Sequence, residues 1–396
     1  MKSLRVILVM IEPPLPFGHA TARWSYALLK GLVERGHRVV AFTTIREAHP
    51  IDELKALFPP PDFDLRCYQY PVRGRFRSKW ETIQAPCAYM FSSALRRDLE
   101  AELEHDFDVL HLESTWTGWL ALNRDRARTL LNCHNLYSID QPIAPLHCIT
   151  ERLRATLQRC AEQHLLKNYP TLITLTPRLQ HAIQAIAPAA SVRVVPLGLD
   201  LSLYPFVPAE RRPAQPVVSM IGSMNWYPSL SAAIRLLTRL WPAIKQRVRG
   251  ARLAIVGRDA RSALADYLQH SDVDIAENVP STRPYFEASS VLLYAPDRAS
   301  GMKVKVLEAF AYGVPVVTTS DGVEGLPAQD GVHASFCDDD NGLIERAVGL
   351  LTDPLRQECQ RRAARELLER ECGARVALDA VERCYTEIVA RSSLPA

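Results

Sequence analysis

A chain of 396 residues, 47% hydrophobic and 23% charged, has the length for two domains, or three by the usual domain size, and the make-up of an ordinary globular protein. Its 47 basic and 44 acidic residues leave a net charge of +3, too near neutral to argue for nucleic acid from bulk charge. The nine cysteines are scattered without a CxxC pair, which fits free thiols in a reducing cytosol.

In chain order, the apolar run Val6 to Ile11 is too short for a signal-peptide core and ends in Glu12 and prolines. No stretch nears the ~18 apolar residues needed to cross a bilayer. "RVILVMI" reads instead as a strand covered on both faces, and "EPPLPFGHAT" as a loop. "ARWSYALLKGLVERG" is an amphipathic helix, with Tyr26, Leu29, Leu32 and Val33 at helical spacing. "HRVVAFTT" is the next strand, parallel to the first through a right-handed crossover. "DVLHLES", "TLLNCHN" and "TLITLT" follow as strands, with a helix from Ile149 to Lys167 between the last two. "VRVVPLGLD" closes this array, and the proline-rich "YPFVPAERRPAQP", Tyr204 to Pro216, is the linker candidate.

The alternation then restarts with the strand "VVSMIGS" and a helix over "PSLSAAIRLLTRLWPAIKQRV", Ser229 being its cap candidate. "ARLAIVGR" reads as a strand, "ARSALADYLQH" as a helix, "VDIAENV" as a short strand, "TRPYFEAS" as a helical turn and "SVLLYAP" as a strand. A helix from Val304 to Tyr312 comes next, then a buried strand, "HASFCD", a helix from Asn341 to Leu351, and a nearly all-helical end broken at Gly373.

Two such arrays predict an α/β protein of two doubly wound parallel-sheet domains facing across a cleft. The expected division is 1–203 for the first domain, 204–375 for the second and 376–396 for a helix packing back on the first. Ligands of such folds bind beyond the C-terminal strand ends. The loops after Ile11, Glu113, Cys133, Ile221, Val256 and Tyr294 are therefore the places to look. His105 and His111 fall at a helix end and on a strand, and nothing nearby completes a metal site.

The most telling stretch is "RASGMKVKVLEAFAYGVPVVTTS", Arg298 to Ser320. Gly313 and Pro315 end its helix, yet Lys303 and Lys305 stand at the helix start, where the dipole disfavours cations. An anion bound there reverses the argument, because the Ser300 and Gly301 amides, the dipole and both lysines then act on one charge. Gly301, Lys305 and Glu308 are spaced to share a helix face, so a carboxylate one turn in could meet a ribose. A solvated basic loop with a surface Lys–Glu pair is the plainer reading.

The run Gly301 to Thr318 resembles the nucleotide-binding segment of the retaining glycosyltransferases of family 4, whose fold is two facing Rossmann-like domains (GT-B). The likeness extends through Ala311, Gly313, Pro315, Val316 and Val317 to "DGVEGL", and to "VVPLGLDLSLY", "GSMNWYPSLSAAIRLL", "ARLAIVGR" and "VPSTRPYFEAS". It is dense in the second half and sparse in the first. Ser300 stands where many members carry a second glutamate, and the loop Ser223-Met224-Asn225-Trp226 lacks the usual Arg and Lys.

The resemblance implies a donor site of Gly18, Ser223, Asn225, Arg258, Val279, Ser300, Gly301, Lys303, Lys305 and Glu308. In it the Val279 backbone meets the base, Glu308 the ribose, and Arg258, Lys303, Lys305 and the Ser300–Gly301 amides the diphosphate. His134, Lys305, Arg258 and Glu308 are the catalytic candidates. His134 lies just past a strand, where members often have a cleft histidine; hydrogen bonding to backbone is the alternative. Gly18 and His19 replace the usual double glycine of the first loop. His19, Glu113, Trp116 and His134 form the expected acceptor site, with core packing the alternative for Trp116 and Trp119.

The basic run Arg73 to Lys79, ending at Trp80, is a solvated loop, a cover over a charged acceptor, or a peripheral contact with an anionic membrane face. The expected activity is transfer of a sugar from a nucleoside-diphosphate sugar, UDP-linked by preference, to a saccharide, sugar-phosphate or lipid-linked acceptor. It proceeds with retention, by front-face attack, with no cofactor, metal or nucleic acid, in the cytoplasm. An epimerase on the same fold and a non-catalytic nucleotide-sugar binder are the alternatives.

Overall fold

The computed structural model describes residues 3–16, 20–45, 51–56, 63–71, 83–122, 124, 126–141, 149–212, 214–267 and 272–392. Contacts divide the chain into two compact units. The first takes Met1–Ser138, Ile143–Gly198 and Ala374–Ala396, and the second Ile139–Pro142 and Leu199–Gly373. Each is a Rossmann-like parallel sheet flanked by helices.

The sheet of the first unit contains β1 (Arg5–Met10), β2 (Arg38–Ile45), β3 (Phe63–Gln69), β4 (Val109–Glu113), β5 (Thr129–Cys133), β6 (Thr171–Thr174) and β7 (Ser191–Val194). They lie in the order β3-β2-β1-β4-β5-β6-β7, every pair parallel. The central strands are continuous apolar runs because both faces are covered; Val6 to Met10 have no exposed surface. The edge strand β3 is absent from the sequence reading. Its Phe-Asp-Leu-Arg pattern alternates buried Phe63 and Leu65 with exposed Asp64, as suits a strand covered on one face.

Two capped helices were also missed. Ser92 caps Ser93–Leu103 by accepting from the Leu95 N–H at 3.2 Å, and Thr176 caps Pro177–Ile186 through the Leu179 N–H at 3.1 Å. The first helix, Ala20–Glu34, buries Trp24, Leu28, Leu29 and Leu32, while Tyr26 and Val33 are only half-buried. Helix Ala374–Ser392 is part of this unit, with Ala377, Val381, Tyr385 and Ile388 buried.

The second sheet contains β8 (Val217–Ile221), β9 (Arg252–Gly257), β10 (Val273–Glu277), β11 (Val291–Tyr294), β12 (Val316–Thr318) and β13 (Ser335–Phe336), in the order β10-β9-β8-β11-β12-β13. The long helix after β8 has the expected extent but a different cap and a break in its middle. Trp226 occupies the cap position and helix Tyr227–Arg235 has Pro228 in its first turn, so Ser229 lies inside the helix. Leu236–Leu240 forms a π-helical turn before Trp241–Arg247. Pro242 has no N–H to donate, which widens the ladder just before it. Between β9 and β10 the described residues are helical over Ala260–Ala263 and in a short turn, Ala265–Tyr267.

Helix Val304–Tyr312 has the expected bounds. Val306, Leu307 and Phe310 are fully buried, each contributing about 1.5–3 kcal/mol. Gly313 closes the helix at φ +68°, where an added Cβ would lie 2.4 Å from the Phe206 ring. No helix among the described residues is long and apolar enough to cross a membrane.

Candidate functional site

In the second unit the C-terminal ends of β8 and β9 meet almost without clearance. A Cβ on Gly257 would fall 1.8 Å from the Gly222 carbonyl oxygen, so glycine is required there for the two strand ends to touch. The Met224 N–H donates to the Arg258 carbonyl at 2.9 Å, which ties the two following loops together. Ser223 Oγ bonds Asn225 Oδ1 at 2.8 Å, and the half-buried Val279 follows Asn278, which has φ +52°.

Lys305 enters this corner from helix Val304–Tyr312. Its Nζ donates to Ser229 Oγ at 2.8 Å and sits 4.0 Å from the centroid of the Tyr294 ring. A Cβ on Gly222 would lie 2.9 Å from Lys305 Cε, so a second glycine makes room for the lysine stem. Burial pulls the Lys305 ammonium down to about 7, and neighbouring Lys303 adds to the effect. Among the described residues no carboxylate forms an ion pair with Lys305. The sequence did not mark Ser229 or Tyr294 as partners; Ser229 was read as a cap.

Around this lysine the expected donor set is only partly as read. Ser300 does not present its amide, because that N–H donates to Asp140 Oδ1 at 2.6 Å, and the Ala299 N–H is taken by Asp321 Oδ2 at 2.8 Å. Gly301 precedes the helix at φ +72°, so it does not share the helix face of Lys305 and Glu308. Lys303 is the helix's cap residue; its Nζ turns back to the Gly301 carbonyl and lies 3.9 Å from Glu324 Oε2. Glu308 is 6% exposed, one turn beyond Lys305.

The far end of the same helix carries cations too. Arg212 donates to the Gly313 carbonyl, Arg361 Nε to the same oxygen at 2.9 Å, and Arg365 to Ala311 O at 2.7 Å. Those arginines complement the dipole, whereas Lys303 and Lys305 oppose it, and no acidic residue occupies the first turn. At the N-terminal end Lys303 faces Glu324, while Lys305 has no carboxylate in an ion pair with it among the described residues.

In the first unit the polar centre is Glu113, the last residue of β4. It has no exposed surface, and it pairs across the sheet with Asn132 of β5. Its carboxylate accepts from Trp24 Nε1 at 3.1 Å, from Asn132 Nδ2 at 3.1 and 3.2 Å, and from His134 Nε2 at 2.6 Å. His111 Nε2 lies 2.9 Å from the other face of the carboxylate, an ion-pair distance with the ring turned off the hydrogen-bond line. His111 Nδ1 in turn meets the Tyr385 hydroxyl at 2.6 Å. Burial alone would raise the Glu113 carboxyl, but His111 and His134 outweigh it and hold the group well below the ordinary carboxylate range.

This corrects the acceptor set. Glu113 has no surface to offer a ligand hydroxyl; it stands behind His134, whose side chain is 16% exposed. Trp116 packs on the apolar cluster of Met90, Phe91 and Leu95 with its ring edge-on to Tyr137 at 6.4 Å, and Trp119 donates to the Pro86 carbonyl at 2.8 Å. Gly18 and His19 lie outside the described residues, as does the basic run from Arg73 to Trp80. His111 and Asn132 were missed. The available signals were two polar side chains at alternate positions of one apolar strand and the "NCHN" beside it; Tyr385 had none.

Residues 21–203 match the family model described as Glycosyltransferase Family 4, and residues 215–353 the one described as Glycosyl transferases group 1. No curated protein sequence matches the chain. Among solved structures, sucrose-phosphate synthase from Thermosynechococcus elongatus aligns with a TM-score of 0.71 at 17% identity, over 98% of this chain and 99% of that one. HepE of Anabaena, solved in complex with UDP and glucose, gives 0.67 at 12% identity over 97% and 100%. WaaG, a glycosyltransferase involved in lipopolysaccharide biosynthesis, gives 0.64 at 16% identity over 97% and 99%. At these identities the likeness shows the shared two-domain fold.

Proposed function

The chain belongs to the glycosyltransferases of group 1, family 4, and from that premise we propose that it moves a sugar from a UDP-linked donor to a saccharide, sugar-phosphate or lipid-linked hydroxyl, with retention and without a metal. That it is a glycosyltransferase acting on a sugar donor follows from the family itself. The observation that carries the finer reading is Lys305, an enclosed ammonium at a helix N-terminus with no carboxylate against it among the described residues. Such a cation awaits an anion, and a diphosphate is the anion that a sugar donor brings. UDP is favoured because HepE, of the same fold, is solved with it.

As the glycosidic bond breaks, negative charge grows on the leaving diphosphate, and fixed cations stabilise it most where it grows most. Lys305 is the principal one, and Lys303 and Arg258 are assigned the supporting charges. Glu308 receives the ribose and the Val279 backbone the base. The acceptor oxygen attacks from the face that the diphosphate leaves, and a phosphate oxygen takes its proton. His134 then positions a hydroxyl instead of serving as the base.

The test is a thermal-shift screen of UDP-, GDP- and ADP-sugars, since a ligand that binds the folded state raises its apparent stability. UDP-sugars should raise the midpoint most. A screen in which none of them moves it removes the donor assignment. Product analysis with the best donor then separates transfer with retention from isomerisation or plain binding.

A further inference from the structure

The buried polar cluster of the first unit goes beyond the donor chemistry. An ionised carboxylate can only accept, so the 2.6 Å contact between Glu113 Oε2 and His134 requires the proton to sit on His134 Nε2. In the neutral ring the other nitrogen, Nδ1, is then an acceptor. The carboxylate itself is fixed from three further sides, by Trp24, Asn132 and His111, and His111 is braced by the Tyr385 hydroxyl. Of these side chains, Glu113 and His111 have no exposed surface while His134 retains some.

We propose that Glu113 is a positioning residue that locks His134 in its Nε2-protonated tautomer and presents Nδ1 as an acceptor for a hydroxyl of the reacting sugars, with His111 and Tyr385 holding the carboxylate from behind. The assignment of a sugar hydroxyl rests on the proposed transferase reading; the tautomer does not. A plain packing role for the cluster is a poor account of it. Packing alone does not favour burying a carboxylate, which costs several kcal/mol unless specific donors meet it. A carboxylate that fixes the tautomer and orientation of a reacting histidine is a recurrent arrangement in hydrolases and metal sites.

The experiment is nitrogen NMR of the full-length protein labelled at histidine, with the His134 ring assigned by its loss in His134→Asn. The wild type should show His134 protonated at Nε2 and bare at Nδ1. Glu113→Gln, isosteric and uncharged, should shift the ring toward the Nδ1-protonated tautomer and lower kcat about ten- to hundredfold while UDP-glucose affinity stays within twofold. Glu113→Asp, which keeps the charge, should keep the native tautomer.

A wild-type ring protonated at Nδ1 overturns the proposal outright, whether or not any variant folds. So does an unchanged tautomer in a folded Glu113→Gln protein. Should the wild type show the native tautomer yet neither bind UDP-glucose nor transfer from it, the donor reading fails while the role of Glu113 stands.

Discussion

The sharpest consequence of the second unit concerns pH. Lys305 is enclosed by Gly222, the Tyr294 ring and Ser229, with Lys303 as the neighbouring charge, and its ammonium is pulled down to about 7. Burial, helped by Asp140 and Asp321, raises the Tyr294 phenol, so it stays neutral across the working range. If a diphosphate binds only the protonated lysine, the apparent Kd is the intrinsic value divided by the protonated fraction. That fraction falls from about 0.9 at pH 6 to about 0.1 at pH 8 around a midpoint near 7. Affinity for UDP-glucose should therefore drop about tenfold, or about 1.4 kcal/mol, over those two units. UDP-glucose is the right probe because its diphosphate is a diester with no proton to exchange in this range. By reciprocity, binding at pH 7 should draw in about half a proton, read by titration calorimetry in buffers of different ionisation enthalpy. Equal affinity at pH 6 and 8 with no proton uptake would refute the reasoning. The stability of the free protein moves the other way: the folded chain releases this proton before the unfolded one does, so between about 7 and 10.5 the unfolded state binds more protons and the contribution of Lys305 to stability rises with pH.

Further outcomes follow from the same geometry. Lys305→Ala should cut kcat by about 10²–10³ in a protein that stays folded, and near-native turnover would remove Lys305 from the reaction. Gly257→Ala puts a methyl 1.8 Å from the Gly222 carbonyl oxygen and should cost at least about 3 kcal/mol in urea unfolding; a change within the scatter of a surface substitution would mean that β8 and β9 part easily. Transfer should survive EDTA, since the proposed charge stabilisation comes from side chains; activity restored only by a divalent ion would contradict it.

The fold was legible where local patterns carry it. Val304–Tyr312 is framed by Gly313 and Pro315, and the central strands are apolar runs that only a doubly covered sheet can use. The strand β3 was illegible as a fold element because its alternation, half of it polar, resembles a loop until a neighbouring strand claims it. The lysines of "SGMKVKVLEAF" were visible as an oddity, and the structure divides them: Lys305 is turned into the β8–β9 corner, and Lys303 toward Glu324. The Glu113 cluster could not be read from spacing. Its members come together by sheet register and by a helix late in the chain, so no window contains them, and Glu113, expected at the surface of a site, lies fully buried behind His134.

Chain order gives that cluster a history. His111 and Tyr385 are 274 residues apart, with the whole second sheet encoded between them. At ~5–20 residues per second a ribosome needs roughly 14 to 55 s to cover that interval. For most of that time, once β7 has been made, the strands of the first sheet exist while the hydroxyl that braces His111 does not. The newborn first unit must then wait with a carboxylate and two imidazoles incompletely sealed, and helix Ala374–Ser392 arrives as the closing piece. Chaperone engagement or proteolytic nicking of a nascent chain should concentrate in this window, which makes the late helix a checkpoint in the biogenesis of a site encoded near the start.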